Sequence, residues 1–323
     1  MRKLKIIREF FIKCAFLAAV AGLLAASVLA EGRLLVPGGH TIGIRAYADG
    51  LVVVSVEQGS AAQKAGIRQG DLLCSVDGEK LDSASQLTQR LDARAALRLE
   101  LRRGGKCRTV LVTPDRTEDG CRLGASVRDH IAGIGTVTYY DPESGEFGAL
   151  GHGICDLGGK GLLTIHGGDV VPSRVREVVR GVSGCAGQLK GEFDAAVSLG
   201  SLSCNTDSGV FGTIKKQDGT AIPTGLPQPG RAQIYANVSG DEVAAFDVEI
   251  LRCYHEEESG GRDMLLRITD PELLSITGGI VQGMSGSPII QEGKLIGAVT
   301  HVLVNDPTTG YGIFIENMLD AAA

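Results

Sequence analysis

One run of the chain concentrates residues suited to acyl chemistry: Gly278-Gly279-Ile280-Val281-Gln282-Gly283-Met284-Ser285-Gly286-Ser287-Pro288. A serine between glycines fits a tight turn that exposes its hydroxyl. The glycines also free the backbone to turn the N–H groups of Gly283 and Ser285 toward one point. Such a pair can hold a tetrahedral oxyanion, worth about 3–4 kcal/mol for one donor. Ser285 and Ser287 both qualify as the nucleophile, and either needs a base. His152, in Ala149-Leu150-Gly151-His152-Gly153-Ile154, follows an apolar stretch and has glycine on both sides. It is expected at a strand end with room around it. His166 and His301 are the other histidines weighed for this role, and His301 lies in an apolar strand-like run. A carboxylate should accept the far N–H of the imidazole and fix its tautomer. Asp194 stands 42 residues after His152, and Asp270 stands 15 before Ser285. Either fits. Metal binding through His152 and Cys155 lacks a second ligand pair, and no C-x-x-C occurs, so no metal or cofactor is expected.

These residues need a scaffold, and the composition describes it. The chain has 323 residues, 43% hydrophobic and 22% charged, with 46 glycines, 4% aromatics and no tryptophan. A disordered chain is excluded, and the core must be aliphatic. A net charge of −6 argues against a nucleic-acid partner. Apolar runs at Ile131–Tyr140, Leu162–Ile165, Asp194–Leu199, Ala232–Val238, Ala245–Leu251, Met264–Ile268, Pro288–Ile290, Leu295–Val304 and Gly312–Ile315 read as strands. Many short strands with little helix make the second half a sandwich or barrel. Lys215–Arg231, with three prolines, reads as a long surface loop.

The first thirty residues differ in kind. Arg2, Lys3, Lys5, Arg8 and Lys13 precede an uncharged run from Cys14 to Ala30. That run reaches about 25 Å as a helix, close to the thickness of a bilayer core. The expectation is an N-terminal membrane helix or a cleaved signal over residues 1–31, with the rest of the chain exported. Seven further cysteines, Cys74, Cys107, Cys121, Cys155, Cys185, Cys204 and Cys253, are odd in number and widely spread. They read as small buried hydrophobes rather than a disulfide framework.

Between the anchor and the second half, strand-like and helix-like signals alternate. Thr41–Ala46 and Leu51–Val56 read as strands, Ser60–Ala65 as a short helix ended by Gly66, and Ser83–Leu91 as a second helix. The run VEQGSAAQKAGIRQGDLLCSVDGEKL resembles a PDZ domain of the circularly permuted kind found in bacterial exported proteases. That resemblance implies an α+β module over 38–113 with Ile42-Gly43-Ile44 as its carboxylate-binding loop. A peptide C-terminus, or a segment of the chain itself, would add there as a strand. The polar stretch 114–128 is then a linker, and 129–323 the second domain.

The run from Gly283 to Pro288 is similar to the nucleophile loop of trypsin-like and high-temperature-requirement proteases, G-x-S-G-x-P, which selects Ser285 over Ser287. LIGAVTHVLV and GYGIFIENML continue the likeness, which implies a trypsin-like double β-barrel. More specifically, GALGHGI and ITDPELLSITGGIVQGMSGSPIIQEGKLIGAVTHVLVNDPTTGYGIFIENML resemble the stage IV sporulation protein B peptidases. That family has a membrane segment, a PDZ domain and a serine peptidase domain. The resemblance implies that His152 and Ser285 are catalytic and that Asp270 is the acid. It also implies a tethered serine endopeptidase that cleaves itself and then a membrane-bound regulator in the forespore intermembrane space, activating late sigma factor processing. The rival classes are a non-catalytic PDZ adaptor and a broad-specificity quality-control protease of the cell envelope.

Overall fold

The computed structural model describes residues 32–323, except 94, 119, 157–160, 195, 217 and 255–260. The expected anchor over 1–31 lies outside the described residues. Among those described, no helix is long and apolar enough to cross a membrane.

Twelve antiparallel strands build two barrels. The first holds β1 (Thr41–Val56), β2 (Ala125–Tyr140), β3 (Glu146–Ala149), β4 (Ile165–Val179), β5 (Gly200–Thr206) and β6 (Gly209–Ile214). Its strands pair in the order β1-β2-β3-β6-β5-β4, and β4 pairs back onto β1 to close the ring. The second holds β7 (Gly230–Ser239), β8 (Glu242–Cys253), β9 (Met264–Ile268), β10 (Pro288–Gln291), β11 (Lys294–Leu303) and β12 (Asp306–Phe314). It closes in the order β7-β8-β9-β12-β11-β10. Alternation along the strands sends one face of each inward. Ile44, Val137, Phe147, Val170 and Val210 belong to the first core; Ile234, Phe246, Leu266, Ile289 and Val299 belong to the second. The mainly β, double-barrel architecture expected from the sequence is therefore the one present.

A PDZ unit lies between β1 and β2 in the chain. It contains helices α1 (Ala61–Lys64) and α2 (Ala84–Ala93) and strands Leu72–Val76, Leu97–Arg103 and Lys106–Val112. Ser60 caps α1 by accepting from the Gln63 N–H. Leu51, Val53, Leu73, Leu97, Leu99 and Val112 form its core. Asp71 is fully buried there, and both its oxygens receive Arg103 at 2.6 Å.

The strand β1 serves both units, and this corrects the expected peptide-binding loop. Its first half pairs with β2 on one edge and β4 on the other: Ile42 opposes Gly135 and Pro172, Gly43 opposes Ile134 and Val171, Ile44 opposes Gly133 and Val170. Ile42, Gly43 and Ile44 are therefore a barrel strand with no free edge, not a loop open to a carboxylate. Gly43 is glycine for a packing reason. A Cβ there would meet the Phe193 ring at 2.4 Å and Val171 at 2.7 Å. Only the second half of β1 joins the PDZ core, where Leu51 and Val52 oppose Leu73 and Leu72. The cysteines are a second correction. The seven in the described part are free thiols, none fully buried, and Cys107, Cys155 and Cys185 are exposed.

Candidate active site

Ser285 lies on the loop between helix α3 (Pro271–Thr277) and β10, and the sequence dictates how that loop is held. Gly283 and Gly286 sit at φ 101° and 96°, where a side chain is strained. Gly286 also lacks space. A Cβ would meet Thr136 O at 2.1 Å and Leu150 N at 2.5 Å. The first barrel clamps the loop through β2. The Thr136 N–H donates to Ser285 O at 3.0 Å, Thr136 Oγ1 to Gly283 O at 2.7 Å, and Thr138 Oγ1 to Gly286 O at 2.8 Å. Both threonines are buried, so these bonds are shielded from competing water. Among the described residues, the N–H groups of Gly283 and Ser285 donate no backbone hydrogen bond. Two donors of the serine loop are thus left without a backbone acceptor.

The Ser285 hydroxyl donates to the Thr300 carbonyl at 2.9 Å. That carbonyl is available because β11 bulges. Val299 opposes Gly312 and His301 opposes Tyr311, which leaves Thr300 as the extra residue. Bulges re-aim the groups of a strand. Thr300 Oγ1 in turn donates to Gly261 O at 2.6 Å.

His152 follows β3 after a bend through Leu150 and Gly151, both at positive φ (71° and 67°). Gly151 lets this loop approach the second barrel, since a Cβ would meet Thr300 at 2.9 Å and Ile313 at 3.0 Å. Asn205 on β5 pins the next turn. Its Oδ1 accepts from the Ile154 N–H, and its Nδ2 donates to the carbonyls of Ile154 and Leu163. His152 Nδ1 lies 3.0 Å from Gly153 O. A carbonyl only accepts, so Nδ1 carries the hydrogen and Nε2 keeps its lone pair. That is the tautomer a general base needs. Burial pushes the His152 pKa down, and among the described residues no carboxylate offsets it. The His301 ring stands 5.2 Å from that of His152, tilted by 40°.

His152, Ser285, His301 and Gly283 line one cleft of about 720 Å³, walled by Ile44, Ile134, Leu150, Val281 and Val302. The two aspartates expected as acids lie elsewhere. Asp270 is the N-cap of α3. Its Oδ1 accepts from the N–H groups of Glu272 and Leu273 at 2.9 and 3.0 Å, and its Oδ2 from that of Asp247 at 3.3 Å. Asp194 lines a separate cavity of about 550 Å³ with His40, Thr41, Ile42, Phe193 and Asn237. Among the described residues, the carboxylate that lines the cleft is Asp207, in the turn between β5 and β6. Sequence reasoning missed it, along with Asn205 and the paired threonines Thr136 and Thr138. The polar tip Thr206-Asp207-Ser208-Gly209 reads as an ordinary hairpin turn, so nothing local singles Asp207 out. His166 does not line this cleft; its Nδ1 lies 3.1 Å from Ala48 O. Ser287 is fully buried. No group of three or more His, Cys, Asp or Glu among the described residues could hold a metal ion.

Residues 119–319 match the family model of the SpoIVB peptidase S55, and residues 52–103 match that of the PDZ domain. A protein of Rhizobium meliloti (strain 1021), named as a zinc metalloprotease, is 34% identical over 121 residues. That match takes in 37% of this chain and 31% of the relative, so the chain spans under a third of that protein's length.

Proposed function

We propose, from the premise that this chain belongs to the SpoIVB peptidase S55 family and is a serine endopeptidase, that it is an exported signalling protease of endospore formation. Its N-terminal segment tethers it to a membrane. It cleaves itself, then a membrane-bound regulatory protein in the forespore intermembrane space, and so licenses late sigma factor processing. Peptides and proteins are its substrates, and the PDZ unit gathers a peptide C-terminus or a segment of the chain itself.

In the chemical step the Ser285 hydroxyl leaves the Thr300 carbonyl and attacks the scissile carbonyl carbon. His152 Nε2 takes the hydroxyl proton and returns it to the leaving amine. The N–H groups of Gly283 and Ser285 hold the tetrahedral oxyanion. Asp270 is the acid that the family resemblance implies, and Asp194 is the alternative that its spacing from His152 offers. Asp270 now caps α3, so that role requires the cap to open. One observation carries the reading: Ser285 and a histidine in its base-ready tautomer share a single cleft.

The test is self-cleavage of the full-length protein, followed by gel and intact mass for wild type, Ser285→Ala and His152→Ala. Wild type should be trimmed at one or two bonds and both variants should stay whole. Trimming of all three alike would sink the reading. The bond from Ser285 to Thr300 O favours a second reading, a PDZ adaptor without turnover. Wild type that spares itself and every offered protein would establish it. Broad digestion of unfolded proteins would point instead to envelope quality control.

A further inference from the structure

Two neighbouring residues of β11 touch both halves of the catalytic pair. The Thr300 carbonyl holds the Ser285 hydroxyl, and the next side chain, His301, stands 5.2 Å ring to ring from His152. The bulge makes Thr300 the extra residue of β11, directly before His301. His301 has a second peculiarity. Its Nδ1 is buried and has no hydrogen-bond partner among the described residues. Buried ring nitrogens are normally paired, and an orphan beside a reacting group calls for a reason.

We propose that His301 is a positioning residue for the serine peptidase reaction: its neutral imidazole orients the His152 ring and offers a nitrogen to the positive charge that develops there. This rests on the peptidase reading above. The balance of the step is unchanged. The proton leaves Ser285 Oγ for His152 Nε2, and the leaving amine later takes it. His301 gains and loses nothing. Its contribution is a dipole facing an imidazolium that no described carboxylate neutralises.

The surroundings keep His301 in the form this requires. Burial, with the nearby His152 and Arg262, pushes it down to about 4. It therefore stays neutral above about pH 4. The groups facing it are His152 from the loop after β3, Arg262 ahead of β9, and across the cleft Asp207 and Cys155. The residue preceding His301 is held separately, through Thr300 Oγ1 and the Gly261 carbonyl, so the ring can be replaced without freeing the nucleophile.

The test compares full-length wild type, His301→Phe and His301→Gln, with Ser285→Ala as the blank. Phenylalanine keeps a ring and removes both nitrogens. Glutamine restores an acceptor. The first readout is the second-order rate of Ser285 phosphonylation by an alkyl fluorophosphonate between pH 4 and 9. The second is the titration midpoint of His152 by ¹⁵N NMR of histidine-labelled protein. His301→Phe should slow phosphonylation by about tenfold or more and move the acid limb and the His152 midpoint to lower pH. His301→Gln should recover most of the rate. A His301→Phe protein that reacts at the wild-type rate, with its acid limb in place, overturns the proposal. So does equal slowing in both variants with the His152 midpoint unmoved, because that marks a packing role. If wild type is not phosphonylated at all, the peptidase reading fails. The NMR midpoint then still decides whether His301 acts on His152, a shift supporting it and no shift overturning it.

Discussion

In the first barrel, β1 and β2 run sixteen residues each and overshoot into the PDZ unit; in the second, no strand exceeds twelve and every ladder closes within the barrel. The two meet at one cleft and contribute differently to it. The second barrel brings a rigid backbone: the loop of Ser285, its glycines, and the bulged Thr300. The first brings one histidine on a bent loop, plus two threonines that grip the opposing loop. The proposed nucleophile is thus built by local sequence, whereas the proposed base is delivered by assembly. A defect in the first barrel should cost orientation, and a defect in the second should cost chemistry outright.

The largest expected effect sharpens that division. Ser285→Ala should lower turnover by about 10⁴-fold or more. It removes one hydrogen bond, worth about 1 kcal/mol, so the melting temperature should stay nearly constant. A large drop in melting would mean that chemistry and assembly are not separable here. Next comes the joint. Gly286→Val puts a branched side chain at φ 96° against Thr136 O and Leu150 N. The urea midpoint should fall by an amount equivalent to about 3 kcal/mol or more, with activity lost in proportion.

Asp71→Ala tests the PDZ side. It strands Arg103 next to a buried cavity. The cost should be about 2–3 kcal/mol, less than for a fully buried pair because Arg103 is partly exposed. Hydrogen exchange should quicken over 51–112 and reach the first barrel through β1, while 230–314 stays protected. Equal quickening in both barrels would erase the contrast. Asp270 gives a smaller effect. As a helix cap, Asp270→Ala should cost about 1 kcal/mol, and Asp270→Asn much less. As the acid, Asp270→Asn should instead lower turnover by about 10⁴-fold at unchanged stability. The smallest effect concerns pH. His301 folds with its pKa depressed to about 4 from 6.5. The unfolded chain therefore binds the extra proton first, and stability should fall as pH drops from about 6.5 to about 4. In His301→Gln that loss should shrink.

The same contrast explains what was legible in the sequence. The apolar runs Ala232–Val238, Ala245–Leu251, Met264–Ile268 and Leu295–Val304 fall on β7, β8, β9 and β11. Those strands are contiguous apolar runs, so periodicity finds them. The first barrel showed only in part: Thr41–Ala46, Leu51–Val56 and Ile131–Tyr140 fall on β1 and β2. β5 (GSLSCNT) and β6 (GVFGTI) interleave glycine and hydroxyls with few apolar residues, and β4 was seen only at its start. Of the run 194–199, apolar enough to suggest a strand, Asp194 and Ala196 to Leu199 are irregular. Ile42-Gly43-Ile44 reads as a PDZ loop because sequence carries no information on which partner strand arrives. The serine loop and the histidine were visible because glycine spacing is local. Asp207 and Asn205 were not, because their meaning comes from strands over forty residues away.

The shared strand β1 also constrains how this protein can be taken apart. It is a stave of the barrel as well as a rib of the PDZ unit. A truncation at residue 113, the natural place to separate two modules, would pull that stave from between β2 and β4 and leave two raw sheet edges facing each other. An inactive truncated protein would then report a collapsed vessel rather than a lost recognition module. A PDZ deletion that keeps Thr41–Ala48 and joins it to Ala125 by a short turn would leave the barrel hooped, and would isolate what the PDZ unit itself contributes.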